Sequence, residues 1–301
     1  MASIAIVGST NIDMVAYTDQ IPERGETVTG KEFVIGFGGK GANQAVMATR
    51  LGATTYIVGA VGEDVFGESA IKNFLDQGVS IKYLAQVSGS SGVAPIWVDG
   101  GGDNRIIVIP GANDKVTIAQ VEEAILDIED LKVVVGQFEI PIDVTIAAFA
   151  MARKLGIITI LNPAPYRDIP AKLLELTDWL VPNKIEFQDL HPQHLDPTVD
   201  GVIAEFAQTN NLKLVVTLGE SGVVLVDKNV VKVAAQSAAA IDTTGAGDAF
   251  VGSFAYGLAM GLSPLAAANL GCKTAGLSVT RLGAQSSYPT LVEAAQILLE
   301  L

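Results

Sequence analysis

Basic residues are scarce: 19 lysines and arginines stand against 33 aspartates and glutamates, giving a formal net charge of −14. That balance argues against nucleic acid or an anionic membrane as the main partner, because both need clustered cations. It also leaves an anionic ligand without help from the overall field, so a phosphate must be held by local groups or by a metal. Cysteine occurs once, at Cys272, which excludes an internal disulfide and fits a reducing compartment. Only two histidines are present, His191 and His194, in a proline-flanked HPQH segment that reads as a loop and makes a poor metal pair. No apolar run reaches the ~18 residues that a membrane helix needs. The amino terminus passes into a strand-like segment with no basic patch or cleavage-site pattern, so a cytoplasmic protein is expected. A P-loop is missing too, since Lys40 is followed by Gly41.

What is present is a regular alternation. Strand patterns at 4–7, 56–61, 133–137, 157–161, 179–181 and 214–218 are interleaved with helical patterns at 66–76, 117–127, 142–155 and 199–208. Three further helical patterns, at 249–260, 265–277 and 291–299, close the chain. Strands alternating with helices predict an α/β fold with a mostly parallel central sheet and helices on both faces. The length of 301 residues suits one main domain with an insertion. Polar residues follow strand after strand: Asn11 and Asp13, Glu139, Asn162, Asn183 and Glu186, then Gly219. In a parallel sheet these converge on one crevice. Each alone is also an ordinary turn residue.

Two extended regions interrupt the alternation. Residues 15–35 are broken by Pro22 and Gly30, and the runs 93–98 and 106–109 form a hairpin around a glycine-rich turn. The hairpin runs are apolar at successive positions, so both faces should be covered, one over a substrate and the other by a second copy of the chain.

Two glycine-rich stretches carry the candidate chemistry. In residues 36–52, Gly36, Gly38 and Gly41 satisfy G-x-G-x-x-G after a strand-like segment, the form of a dinucleotide fingerprint. That fingerprint normally opens on the first strand of its domain, whereas here a βαβ-like segment has already begun at Ile4. In residues 242–250, DTTGAGDAF, small residues precede a helix start, where bare N–H groups and the helix dipole favour an anion. Asp248 then stands beside an anion site and could accept a proton from an attacking hydroxyl, or it could simply be a favourable first-turn acid.

Read together, GGKGANQAVMATRLG and DTTGAGDAF resemble the two signatures of the pfkB sugar-kinase family, and STNIDMV, NRIIVIPGAN, NPAP, PNKIE and TLGESG follow its order and spacing over nearly the whole chain. The resemblance implies a three-layer α/β/α domain over residues 1–301, with a discontinuous β lid from about 14–37 and 92–110 that pairs two copies into a homodimer. It implies ATP-dependent phosphorylation of a pentose at its primary hydroxyl, with D-ribose at its 5-hydroxyl the leading substrate. It assigns sugar binding to Asn11, Asp13, Gly39, Lys40, Asn43 and Glu139. ATP falls to Asn183, Glu186, Thr217, Gly219 and Gly222, with Glu186 near Mg²⁺. Cys272, a core thiol by its helical setting, is added to the nucleotide set. Asp248 becomes the catalytic base, and Gly245, Ala246 and Gly247 the anion hole. A monovalent cation, potassium, falls to Asp242, Thr244, Ser278, Arg281, Gly283 and Ser287. The alternatives are a sibling kinase for deoxyribose, another sugar or a nucleoside, a non-catalytic sugar-binding regulator, and the dinucleotide oxidoreductase.

Overall fold

The computed structural model describes residues 2–199 and 201–301. Its first strand, β1 (Ser3–Val7), is buried along its whole length, as a strand covered on both faces must be. The chain continues through β2 (Asn11–Tyr17), β3 (Glu32–Gly38), α1 (Lys40–Arg50), β4 (Thr54–Gly62), α2 (Val65–Gln77), β5 (Ser80–Val87), β6 (Gly92–Val98) and β7 (Asn104–Ile106). There follow α3 (Ile118–Asp127), β8 (Leu131–Gly136), α4 (Ile142–Lys154), β9 (Ile158–Leu161), α5 (Ala171–Glu175), β10 (Trp179–Leu180), α6 (Lys184–Leu190) and α7 (Val202–Thr209). The remaining elements are β11 (Lys213–Thr217), β12 (Val223–Val226), β13 (Val230–Val233), α8 (Ala246–Ala259), α9 (Pro264–Ser278) and α10 (Leu291–Leu299).

Nine strands form the central sheet in the order β13-β12-β11-β10-β9-β8-β1-β4-β5. Pairing is parallel from β11 to β5, and antiparallel only where β12 and β13 close one edge. Two apolar clusters cover the faces. One joins α1, α8 and α9 to the sheet, and the other joins α3, α4 and α7. From β1 the chain moves to β4 and β5 on one side and later to β8 on the other, so the order reverses beside β1 and opens a crevice at the strands' carboxyl ends.

A second sheet of four strands, β3-β2-β6-β7, stands apart. The extended regions expected at 15–35 and 93–109 make up most of it. Asn11 and Asp13 differ from expectation, because they lie on β2 rather than in a loop after β1. The strands β5, β12 and β13 were not legible in the apolar pattern, and the helix expected at 199–208 begins at Val202 instead.

The packing of α8 on α1 positions the site. A Cβ on Gly252 would lie 2.6 Å from the Gln44 carbonyl oxygen, so only glycine permits this approach. The closeness brings Asn43 and Gln44 against the first turn of α8.

Candidate functional site

The turn before α8 ends at Gly245, whose φ of 74° caps the helix in the left-handed region. A Cβ there would also meet the Tyr288 hydroxyl and Ala284, both at 2.9 Å. The Tyr288 hydroxyl donates to the Gly245 carbonyl oxygen at 3.0 Å, and Arg50 on α1 donates to the Tyr288 carbonyl at 3.0 Å, so the C-terminal loop fastens the turn. Ala246, Gly247 and Asp248 are the first three residues of the helix; the Ala246 N–H donates to the Thr243 carbonyl at 3.2 Å, which leaves those of Gly247 and Asp248 as the free donors of the first turn. Of the expected anion-hole residues, Gly245 is thus the helix cap, and Ala246 and Gly247 lie in the first turn.

Asp248 is buried. Its Oδ2 accepts from Asn43 Nδ2 and its Oδ1 from Gln44 Nε2, both at 2.9 Å. Burial pushes its carboxyl pKa upward, and Lys40 with the two amides opposes this without cancelling it. Lys40 is in turn surrounded by acids. Burial works against its charge, but Asp248, Glu139 and Glu186 outweigh that and raise its pKa. One ammonium among several carboxylates leaves the site with an excess of negative charge and room for further cationic charge.

On the side toward the small sheet, Glu139 Oε2 accepts from the Lys40 backbone N–H at 2.9 Å and from the Ser9 hydroxyl. Asn113 donates from Nδ2 to Asn11 Oδ1 at 2.8 Å and accepts the Thr10 N–H at 2.9 Å, which turns the Asn11 amide NH₂ away from it. Asp13 sits opposite Gly36 in the β2–β3 pairing. A Cβ on Gly38 would fall 2.3 Å from its carboxylate. Of the G-x-G-x-x-G match, Gly36 and Gly38 lie on β3, where Gly38 makes space for the Asp13 carboxylate, whereas Gly41 lies in α1 and packs against the Gly8–Ser9 backbone just after β1. Burial, then Glu139 and Asp248, push the Asp13 pKa to about 7. Gly39 is the residue before α1.

A cavity of about 200 Å³ reaches Asp248 from the other side, lined by Lys40, Asn162, Asn183, Glu186, Thr217, Gly245 and Gly247 among others. Asn183 caps α6, and the Glu186 carboxylate accepts the Asn183 N–H at 2.8 Å in a capping box. Burial raises the Glu186 pKa, and that hydrogen bond and Lys40 oppose it. Gly219 and Gly222 bracket the short turn after β11. Cys272 is not brought to this cavity. It belongs to the apolar cluster between α9 and the sheet, where burial pushes its thiol up to about 11.

Apart from Ser278, which ends α9, the residues expected at a cation site lie on two adjoining loops. Asp242 accepts from the Thr244 N–H at 2.9 Å and the Gly283 N–H at 2.8 Å, pinning one loop to the other. Partial burial tends to raise its pKa, but these donors prevail and hold it below the usual range. Ser278 and Ser287 donate to the carbonyls of Ala275 and Ala284 within their own turns, at 2.8 and 2.7 Å. The Arg281 side chain leaves the group and pairs with Glu293. Among the described residues, Asp242 has no ion-pair partner.

Sequence reasoning missed Gln44, Gln137, Asn113, Gln285 and Tyr288. Gln44 adjoins Asn43 in a stretch already singled out, and Asn113 closes the quoted NRIIVIPGAN, so both had a signal in the sequence.

Comparison with known proteins shows the family. The pfkB family carbohydrate kinase profile matches residues 1–291. A ribokinase of Lactococcus lactis is 36% identical over 303 residues, covering 100% of this chain and 98% of that protein. A deoxyribokinase of Salmonella typhimurium is 36% identical over 294 residues, covering 96% of each. Among solved structures, ribokinase from Thermotoga maritima superposes with a TM-score of 0.89 at 34% identity, covering 99% of this chain and 100% of that one. Arabidopsis thaliana ribokinase complexed with ribose and ATP gives 0.90 at 29% identity, covering 99% of each chain. The chain belongs to the pfkB family of carbohydrate kinases.

Proposed function

We propose that this chain transfers the γ-phosphoryl group of ATP to the 5-hydroxyl of D-ribose, giving ribose 5-phosphate and ADP. The observation that carries the proposal is the buried Asp248 at the anion-friendly start of α8, between the cavity lined by Asn183, Glu186 and Thr217 and the polar group of Asn11, Asp13 and Glu139. Kinship with a ribokinase over the full length supplies the substrate. The sugar O5 forms a bond to phosphorus as the bond to the β,γ-bridging oxygen breaks, and the hydroxyl proton passes to Asp248. Because phosphoryl transfer has a loose transition state, the proton moves late and positioning supplies much of the rate. Gly245, Ala246 and Gly247 hold the transferring group, and Asn11, Asp13, Gly39, Lys40, Asn43 and Glu139 hold the sugar. Asn183, Thr217, Gly219 and Gly222 lie along the nucleotide.

Mg²⁺ fits the excess of carboxylate over ammonium around Lys40. Glu186 would stand nearest to it, and bound there it would neutralise charge on the polyphosphate. A potassium ion fits between the two loops pinned by Asp242, a carboxylate that no cation among the described residues pairs. It would steady the anion turn next to it. Cys272, which like Gly219 and Gly222 does not line the cavity, stays in the nucleotide set on the family resemblance alone. No helix among the described residues is long and apolar enough to cross a membrane, and the single cysteine suits a reducing cytoplasm.

ATP consumption measured with ribose, deoxyribose, fructose and adenosine tests the substrate. The largest kcat/KM is expected with ribose. Deoxyribose is the closest competitor, because a deoxyribokinase stands at the same identity. Preference for adenosine or fructose would overturn the assignment, and equal rates in potassium and in choline buffer would remove the potassium site.

The small sheet serves in this reading as a lid that closes over the sugar and excludes water. On it Phe33 is 61%, Ile35 55% and Ile107 56% exposed, while Ile106 shares the other face with Val15 and Ile96. A monomer seldom leaves such a contiguous apolar surface uncovered, and a second lid is a self-complementary cover. Sedimentation at micromolar concentration should therefore give the mass of a dimer, and Ile35→Lys with Ile107→Lys should give a monomer.

A further inference from the structure

We propose that two arms of side-chain amides with a fixed direction hold Asp248, and that Gln44 and Gln137 are positioning residues for phosphoryl transfer. The proposal rests on the reading of Asp248 as the base. An ionised carboxylate only accepts hydrogen bonds, so Asn43 and Gln44 must both turn their NH₂ groups toward it. Their carbonyl oxygens then face outward and need donors. Gln44 Oε1 accepts from Gln137 Nε2 at 2.6 Å, and Asn43 Oδ1 accepts from Gln285 Nε2 at 3.1 Å. Gln285 Oε1 accepts in turn from Asn73 Nδ2 on α2 at 2.9 Å. The second hydrogen of Gln44 Nε2 goes to Asn162 Oδ1 at 3.1 Å, and Asn162 donates to the Val181 carbonyl at 2.9 Å. The orientation of every amide from α2 to α8 therefore follows from one fact, the negative charge on Asp248.

The arrangement is not what stability alone would select. Gln44 and Gln137 are both 0% exposed, and Gln137 Oε1 has no hydrogen-bond partner. A buried unsatisfied oxygen opposes folding, and an apolar residue of the same shape would avoid it. What the arms provide is restraint. With one donor on each oxygen, the carboxylate cannot rotate, and a lone pair stays free for the arriving sugar hydroxyl. The charged and titratable groups facing Asp248 are Lys40 from α1, Asp13 from β2, Glu139 after β8, Glu186 from α6 and Tyr288 from the C-terminal loop. All of them are unchanged in the variants below.

Gln137→Glu replaces the donor at Gln44 Oε1 by an acceptor, and Gln137→Met removes it at similar length. In both, Gln44 is released and Asp248 loses a dependable donor. The expected result is a fall in kcat of about tenfold to a hundredfold, with the sugar KM nearly unchanged. Losing a donor favours the protonated carboxyl, so the acid limb of the kcat profile should move to higher pH. A fall in kcat that tracks a lower Tm while the acid limb stays in place would mean a merely structural role and overturn the proposal. So would wild-type kcat in both variants. Asp248→Asn serves as the control: activity near wild type there overturns the base assignment itself, whereas an inactive Asp248→Asn with unaffected Gln137 variants overturns the amide arms alone. If the Gln137 variants do not fold, Asn73→Ala at the far end of the other arm reads the same effect, and an unmoved acid limb in it rejects the proposal.

Discussion

Asp248→Asn is expected to lower kcat by about a thousandfold, within the range a positioned general base contributes, while ATP and sugar still bind. The carboxamide fits the same space, so α8 and its anion turn should persist. It cannot take the proton, and it must offer an NH₂ group to either Asn43 or Gln44, whose own NH₂ groups point at that position. The substitution therefore removes the base and sets donor against donor in one step. Thermal stability should change little, because the cost of burying the charge disappears along with the hydrogen bonds to it. Steady-state ADP release, with ribose and nucleotide binding measured separately, checks the result. A kcat within tenfold of wild type would remove Asp248 from the role of base.

The second large effect concerns Asp13, where function and stability should move in opposite directions. Its pKa is pushed to about 7 by burial and by Glu139 and Asp248, against an unperturbed value of 3.8. The folded protein thus holds this proton more tightly than the unfolded chain does. Stability from this group is present below the unfolded pKa and declines as pH rises from about 4 to about 7, with the full penalty in place above that. A shift of this size amounts to a few kcal/mol. Asp13→Asn, with no proton to lose, should melt several degrees above wild type at pH 8 and show little gain at pH 4. The same change removes an acceptor for sugar hydroxyls, so the ribose KM should rise by about a hundredfold. Paired melting curves at the two pH values and a substrate titration decide the matter. A variant less stable than wild type at pH 8, or one with an unchanged KM, would contradict it.

Much of the framework was legible because it rests on local pattern. The buried run of β1, the strand–helix alternation from residue 117 to 218, and the small residues before α8 each follow from period or turn chemistry. The elements that escaped have weaker local signals. β5 carries Lys82 and Gln86 among its apolar residues, while β12 and β13 are four residues each. Asn11 and Asp13 read as turn residues since Asn and Asp are poor strand formers, yet β2 holds both because Gly38 of β3 leaves space for Asp13 and Gly92 of β6 for Asn11. The site was half legible for a similar reason. Carboxylates and a glycine turn announce possible chemistry, whereas Gln44, Gln137 and Gln285 are ordinary polar residues in sequence. Their burial arises only when α1 and α8 meet, and no spacing rule spans that distance.

The distances along the chain have a consequence for synthesis. Gln44 and Asp248 are 204 residues apart, Asn43 and Gln285 are 242 apart, and Arg50 reaches Tyr288 across 238. A nascent chain emerging from the ribosome can pair β1 with β4 early. It cannot fasten the turn at Gly245 until Tyr288 has been made. The capacity to spend ATP therefore arrives last, and an interrupted or clipped chain lacking this loop would be inert rather than a wasteful ATPase.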